Sequence, residues 1–165
     1  MNAKGSAYDA PMAAESINLD EILTGWRQWK SRSVGRRLIA RCVVEHMYQG
    51  KQWGHPSTYA FVRFECMPAQ ELVFEVRAKW PPHLTLEYRR LLHQAMAAAI
   101  VDGLVATDDP RTGCSISCID VKWDDVASSE QSFYCATKAA MTALREREWS
   151  LARRTDEGTQ AARDG

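Results

Sequence analysis

Two amphipathic helices separated by one strand occupy residues 83 to 146, and this stretch most constrains what the chain can fold into. The first helix has apolar residues at the i, i+3, i+4, i+7 spacing of one buried face. These residues are Tyr88, Leu91, Leu92, Ala95, Met96, Ala99 and Ile100. We expect the helix to end where Asp102-Gly103 and then Asp108-Asp109-Pro110 interrupt the pattern.

The second helix follows a capping signal. Ser128 can accept a hydrogen bond from the backbone N–H of Gln131, whose side chain can reach back to the helix start. Its apolar stripe consists of Phe133, Ala136, Ala140, Met141 and Leu144. Between the helices, apolar and small polar residues alternate within residues 114 to 121, as in a half-buried strand.

Three further strands are predicted upstream, at residues 38–46, 59–66 and 71–78, the last with Leu72, Phe74 and Val76 on its inward face. The last two are joined by the short turn 67–70, which favours a hairpin. The predicted fold class is α+β, a four-stranded, mostly antiparallel sheet with two helices on one face. A right-handed connection is the physical default for parallel strands joined by a helix.

Several short motifs follow one another across roughly residues 36 to 146. They are Leu86-Glu87-Tyr88, Asp102-Gly103-Leu104, Asp125-Val126-Ala127-Ser128-Ser129-Glu130-Gln131-Ser132-Phe133 with Ala136, and, more loosely, Tyr59 to Glu65. In this order they resemble the fourth domain of bacterial elongation factor G and related translational GTPases, as a stand-alone domain. The resemblance implies that domain's fold, including an unusual left-handed βαβ crossover.

The chain departs from the family at the tip of the domain. The family has a glycine-rich loop where this chain has residues 47–58. Gln52-Trp53-Gly54-His55 resembles the Q-Y-G-H sequence that follows this loop in the family, but Tyr59-Ala60-Phe61-Val62 is an alternative match for the same place. The family also has a histidine that reaches the codon–anticodon helix, and Asp124 stands in its place. A carboxylate there would repel RNA phosphates, which argues against translocation activity.

The chain of 165 residues suits one domain with extensions. We expect a disordered tail at 1–15, a helical and basic extension at 16–35 with a helix over 17–29, the domain at 36–150 and a polar tail at 151–165. No signal peptide or membrane span is seen, which favours a cytoplasmic protein. Five cysteines without a C-x-x-C pair are interpreted as buried, reduced thiols, four on strands and one on the second helix.

Residues 27 to 41 carry six cations and no acid, in a chain whose net charge is zero. The cations are Arg27, Lys30, Arg32, Arg36, Arg37 and Arg41. They predict either a phosphate-contacting patch or a solvated linker with one exposed strand face. Lys51, Trp53 and His55 in the following loop are further candidates for contacts with bases or phosphates.

No motif for catalysis, nucleotide binding or metal ligation is present. The chain lacks G-x-x-x-x-G-K-[ST], G-x-S-x-G and H-E-x-x-H. The histidines are scattered, and His93 is predicted on the solvent side of its helix. Asp124 and Asp125 are expected to favour the start of the second helix through its dipole. We therefore expect a non-enzymatic protein without cofactor or metal.

Two functions remain open. One is a translation-related protein that binds the ribosome or structured RNA without a GTPase of its own. The other is a protein-interaction or inhibitory module that uses the same fold without RNA contact, with exposed tryptophans as anchors (Trp26, Trp29, Trp53 and Trp80 are the candidates). Cations that line one face beside the 47–58 loop would favour RNA, whereas interspersed acids and exposed tryptophans would favour a protein partner.

Overall fold

The computed structural model describes residues 15–16, 35–50 and 58–163, with side chains described as far as residue 156. The strands are β1 (Glu15–Ser16), β2 (Arg36–Arg37), β3 (Cys42–Gly50), β4 (Thr58–Pro68), β5 (Val73–Val76) and β6 (Arg111–Lys122). The helices are α1 (Leu86–Ile100), which continues into a π-helical turn (Val101–Val105), and α2 (Glu130–Arg163). The predicted helix over 17–29 lies outside the described residues.

The structure is α+β, as predicted, but its sheet is mixed and has six strands among the described residues rather than the predicted four. The strand order is β1-β5-β6-β4-β3, and β2 pairs separately with the start of β6. β3 with β4, β4 with β6 and β1 with β5 are antiparallel, whereas β5 and β2 both run parallel to β6. The expectation of a mostly antiparallel sheet therefore holds for only part of the pairing.

The predicted hairpin of the second and third strands is wrong. β6 lies between β4 and β5 and hydrogen-bonds to both, so these two strands are not neighbours. The hairpin is formed by β3 and β4, with residues 51–57 as its connection. A short turn cannot specify pairing by itself, because β6 has 12 residues and supplies ladder partners on both of its edges.

Both helices cover one face of the sheet and start at the same end of it. Their buried faces meet the inward side chains of the strands in one core, which includes Phe64, Phe74, Ile116 and Phe133. Every residue of the predicted α2 stripe is completely buried. The inward positions Phe74 and Val76 of β5 are also buried, as predicted.

The buried face of α1 is rotated from its predicted position. Leu91 is 43% exposed, and His93, predicted toward solvent, is buried. The cause is Trp80, whose Nε1 donates a 2.8 Å hydrogen bond to Nε2 of His93 inside the core. A histidine that accepts such a bond satisfies its polar atom, so it can occupy an interior position.

Asp102-Gly103 does not end the first helical segment. Both residues lie within the π-helical turn, and the Ala106 N–H donates to the Val101 carbonyl at 2.9 Å. Gly103 allows close approach to α2, because a Cβ added there would lie 2.6 Å from the Cβ of Met141. The helical segment ends only before the loop that contains Asp109.

The helix cap of α2 is shifted by one residue from the predicted one. The Ser132 N–H donates to Oγ of Ser129 at 3.2 Å, and the Ser129 N–H donates to Oγ of Ser132 at 2.8 Å. This is the reciprocal arrangement of a capping box. Ser128 is used differently, as described below. α2 also extends to Arg163, through most of the predicted tail.

The first predicted strand begins later than expected. Residues 38–41 lie outside the strands, with a bend at 39–40, and β3 starts at Cys42. The bend is fixed by Glu148 of α2, whose Oε2 accepts a 2.7 Å hydrogen bond from the Ile39 N–H. That N–H therefore bonds to a side chain rather than to a neighbouring strand. All five cysteines are free, and four of them are buried, as predicted.

Candidate binding surface at the tip of the sheet

Three segments meet at one end of the sheet, which we call the tip. They are the β3–β4 hairpin end, residues 81–85 before α1 and residues 123–129 before α2. The Tyr59 N–H donates to the Ala127 carbonyl at 3.0 Å, and Oγ of Ser128 donates to the Tyr59 carbonyl at 2.8 Å. These bonds hold the segment before α2 against β4. Tyr59 lies in β4, whereas Gln52 to His55 lie outside the described residues.

Asp125 joins two of these segments. Its Oδ1 lies 2.8 Å from Nε2 of His83 and accepts a 2.7 Å hydrogen bond from Nε1 of Trp123. The Trp123 hydrogen bond, and then that of His83, lowers the pKa of the Asp125 carboxyl below its ordinary value. Asp125 therefore carries its negative charge at the tip throughout the neutral range.

Asp124 has a local role in the turn. Its Oδ1 accepts hydrogen bonds from the N–H groups of Val126 at 2.9 Å and Ala127 at 2.8 Å. Its own N–H donates to Oγ of Ser128 at 2.9 Å. The carboxylate is thus held by an Asx-type turn. The predicted contribution of Asp124 to capping is made to this turn rather than directly to the first turn of α2.

An aromatic cluster supports the tip from below. The ring of Trp123 stacks on Phe133 with centroids 6.0 Å apart, and its edge meets Tyr88 at 5.9 Å. Phe133 is completely buried, which anchors the cluster in the core. Beyond it, Val126 projects from the turn with 79% of its surface exposed. The described tip thus offers an exposed apolar side chain beside two carboxylates on a supported turn.

The described cations of the basic segment lie away from this tip. Arg36 and Arg37 pair with Arg111 and Gly113 at the start of β6, whereas the tip lies at its other end. Twelve residues of strand separate these ends by roughly 36 Å. The predicted joint surface of these arginines and the 47–58 loop is therefore not formed by the described residues.

These cations are also partnered. Nε of Arg36 lies 3.3 Å from Oδ1 of Asp109, and Nε of Arg37 donates to the Ala69 carbonyl at 2.9 Å. Arg41 forms an ion pair with Glu65 of β4. Acids from distant parts of the chain thus accompany Arg36 and Arg41, although the segment 27–41 contains none.

The remaining predicted candidates divide into two groups. Arg27, Lys30, Arg32, Lys51, Trp53 and His55 lie outside the described residues, as do Trp26 and Trp29. Trp80 is a core residue, since it is buried and packs 5.1 Å from Phe133. It therefore does not anchor an interface.

The uncovered sheet face carries an ion-pair network that we did not predict. Glu65 of β4 contacts Arg41 and lies 3.9 Å from Arg77, which also pairs with Glu75 of β5. Oε1 of Glu75 accepts a 2.7 Å hydrogen bond from Ser117. The alternating charges of β4 were the available signal, since Arg63 and Glu65 share this face.

His83 and Val126 were also missed as tip residues, because only the tertiary structure brings them there.

Within the described ranges, no group of three or more His, Cys, Asp or Glu side chains is arranged to hold a metal ion. In the same part of the chain, no helix has the length and apolar character needed to cross a membrane.

Comparison with known proteins gives a fold relationship alone. No protein-family model matches the chain, and no curated protein matches it. A solved structure is similar, the crystal structure of a protein designated ttk003000868 from Thermus thermophilus. Its TM-score is 0.52 at 21% identity, over 67% of this chain and 17% of the Thermus chain. The present chain therefore matches a region that makes up about a sixth of a longer protein.

Proposed function

We propose that this chain is a non-enzymatic protein-interaction module, and that its tip contacts another protein. The observation that carries the proposal is the chemistry of the described tip. An exposed valine, Val126, stands between the carboxylates of Asp124 and Asp125 on one side and the first turn of α2 on the other. A protein surface with an apolar pocket and basic neighbours complements this arrangement.

The electrostatics of the described residues argue against phosphate as the ligand of this surface. Asp125 stays ionised because its pKa is lowered, and Asp124 is exposed beside it. Two negative charges at the same turn repel a nucleic-acid backbone. The partnered arginines Arg36 and Arg41 have carboxylates within contact distance, which reduces the field they present to a phosphate.

A second candidate is binding to the ribosome or to structured RNA. It rests on the resemblance to the fourth domain of elongation factor G and on the position of the β3–β4 connection. Gly50 and Thr58 are paired at the tip, so the connection that carries Lys51, Trp53 and His55 starts and ends there. A cation and two aromatic rings in such a connection suit contacts with phosphates and bases.

The order of elements supports a domain IV-like fold for either candidate. The hairpin β3–β4, the strand β5, the helix α1, the strand β6 and the helix α2 follow the order of the resemblance, and β5 and β6 are parallel neighbours joined by α1. We propose that this crossover is left-handed, as in the family. An experimental structure with a right-handed crossover would contradict this assignment.

The two candidates differ in their binding to protein-free RNA. The purified chain would be titrated with a structured RNA and sedimented with ribosomes at about 50 and 200 mM salt. A protein-interaction module shows no measurable RNA affinity at the lower salt. An affinity for RNA that falls by a factor of about 10³ between these salts, as expected for several phosphate contacts, would instead establish the second candidate.

Charge variants identify the surface responsible. Arg36→Ala with Arg37→Ala removes two cations at the far end of the sheet, whereas Asp124→Asn with Asp125→Asn removes two acids at the tip. If phosphate contacts involve the basic segment, the arginine variant weakens RNA binding. If the tip recognises a basic protein surface, only the aspartate variant weakens binding of that protein.

A further inference from the structure

Cys42 and Cys66 face each other across the first hairpin. They are directly opposite residues of the antiparallel pair β3–β4, at the end of the sheet away from the tip. Both side chains point into the core face, with 6% of Cys42 and none of Cys66 exposed. Opposite residues of antiparallel strands have Cα atoms about 4.5–5.5 Å apart. This separation lies within the range of about 4.4–6.8 Å that a disulfide requires.

The two thiols are also chemically unequal. The interaction with the Cys66 side chain favours a thiolate on Cys42 and lowers the pKa of the Cys42 thiol below its ordinary value. The same interaction, together with burial, raises the pKa of Cys66. From α2, Arg147 favours the Cys42 thiolate and Glu148 opposes it. Cys42 is therefore the thiol suited to attack an electrophile first. Cys66 is the second thiol because of its position directly opposite Cys42.

We propose that Cys42 and Cys66 form a redox-active dithiol that a hydroperoxide oxidises to a disulfide. The site is independent of the tip and of the binding function proposed above. Cys42 is the more accessible of the two thiols, because it is the first residue of the edge strand β3 and 6% of it is exposed, whereas Cys66 is completely buried. Both cysteines are free in the structure, which corresponds to the reduced form.

The chemistry balances in two steps. The Cys42 thiolate attacks one oxygen of the hydroperoxide, so that an S–O bond forms and the O–O bond breaks. The leaving alkoxide or hydroxide takes up a proton, and Cys42 becomes a sulfenic acid. The Cys66 sulfur then attacks the Cys42 sulfur, the S–S bond forms, and the hydroxyl leaves with the Cys66 proton as water. The two thiols lose two electrons in total, and the peroxide gains them.

The other cysteines provide matched controls. Cys118 is buried farther along β6, opposite Phe64, and Cys135 is half-buried on α2. Cys114 lies near Cys66 but is opposite Pro68, and burial raises its pKa to about 12. A thiol so rarely ionised reacts slowly with a peroxide. Oxidation should therefore select one pair among the five.

The test uses the full chain with a stoichiometric amount of hydrogen peroxide, followed by denaturation and alkylation of the remaining thiols. We expect two of the five thiols to disappear, peptide mapping to find a Cys42–Cys66 disulfide, and dithiothreitol to restore both thiols. The rate of loss should rise with pH as Cys42 ionises, at a lower pH than for an ordinary thiol.

Variants assign the steps. Cys66→Ser should accumulate a sulfenic acid on Cys42 that a 1,3-dicarbonyl reagent captures, whereas Cys135→Ser should form the disulfide like the wild type. Five thiols retained under peroxide, or a disulfide between any other pair, would overturn the proposal. Peptide mapping of the wild type decides the matter even where a variant does not fold. Neither outcome bears on the binding function of the tip.

Discussion

Asp125 and His83 are 42 residues apart in the sequence, and Oδ1 of the first lies 2.8 Å from Nε2 of the second. This contact joins the segment before α1 to the segment before α2 at the tip. The same carboxylate oxygen also accepts from Trp123, which packs on the core residue Phe133. The acidic surface of the tip is thereby connected to the interior of the domain.

The Asp125 carboxyl should titrate below the ordinary pKa of an aspartate, chiefly because of the Trp123 hydrogen bond. Since its pKa is depressed in the folded state, its contribution to stability is present above the unfolded value of about 3.9. The contribution is lost as the pH falls through the folded pKa. The carboxyl carbon shift of Asp125, followed by NMR between about pH 6 and 2, measures this pKa.

Trp123→Phe keeps an aromatic ring but removes the donor, so it should raise the Asp125 pKa toward the ordinary value. His83→Gln should have a smaller effect, because the histidine is the second cause of the shift. An unchanged titration in Trp123→Phe would contradict the assigned cause.

Glu148 and Arg111 form a buried contact at the far end of the sheet. Oε2 of Glu148 lies 3.8 Å from an Nη atom of Arg111, and their side chains are 1% and 3% exposed. Glu148→Ala leaves the Ile39 N–H without its acceptor, whereas the guanidinium of Arg111 keeps its 2.7 Å ion pair with Asp109. The free energy of unfolding should therefore fall by about 1–3 kcal/mol, the cost of a buried polar group without a partner. Urea unfolding of the variant measures this loss.

A matched double variant separates the lost pairing from general disruption. Glu148→Leu with Arg111→Met replaces both charges with apolar side chains of similar size. It should recover the part of the loss that comes from the broken charge pair, because neither charge stays buried, whereas the Ile39 N–H still lacks its acceptor. A double variant as unstable as the sum of the single variants would show that the pair is not coupled.

Much of this arrangement followed from sequence pattern, and the exceptions have a common cause. The apolar stripe of α2 and the inward residues of β5 are local patterns, and the structure confirms them. The exceptions each depend on a part of the chain that is distant in sequence. β6 lies between β4 and β5 and prevents their pairing, Trp80 hydrogen-bonds His93 in the core, and Glu148 accepts the bond that fixes the bend at Ile39. Periodicity reports which side of an element is apolar, but not which element covers it.

The candidate site was less predictable than the fold. Asp124 was singled out by its position in a motif, but His83 and Val126 carry no sequence signal for the tip. The basic segment 27–41 looked unpaired because Asp109 and Glu65, which accompany Arg36 and Arg41, belong to other parts of the chain. Charge along the sequence does not establish charge at a surface.

Gly103→Ala should destabilise the contact between the π-helical turn and α2. The new Cβ would lie 2.6 Å from the Cβ of Met141, which can move only with its backbone. We expect a loss of about 1–3 kcal/mol in the free energy of unfolding, as for overpacked cores. Ala106→Ser at an exposed position nearby is the control and should change it by less than about 0.5 kcal/mol. Equal stability of the two variants would contradict the close approach.

Ser129→Ala should remove the cap of α2. The Ser132 N–H loses its acceptor, and the free energy of unfolding should fall by about 1 kcal/mol. Ser150→Ala is a suitable control, because this exposed serine lies within α2 and bonds only to the Glu146 carbonyl of the preceding turn. Thermal unfolding of both variants distinguishes a cap from an ordinary helical serine, and a loss confined to Ser150→Ala would contradict the assignment.

Site-specific photo-crosslinking from the tip tests the central claim most directly. A photoreactive residue would replace Val126 at the tip, and a control would replace Trp149, which is 58% exposed on α2 toward the opposite end. In the host cell, the Val126 probe should crosslink to a protein, the adduct should be absent from the Trp149 probe, and Asp124→Asn with Asp125→Asn should reduce it. Adducts to RNA from the Val126 probe, or the same adducts from both positions, would contradict a protein-binding tip.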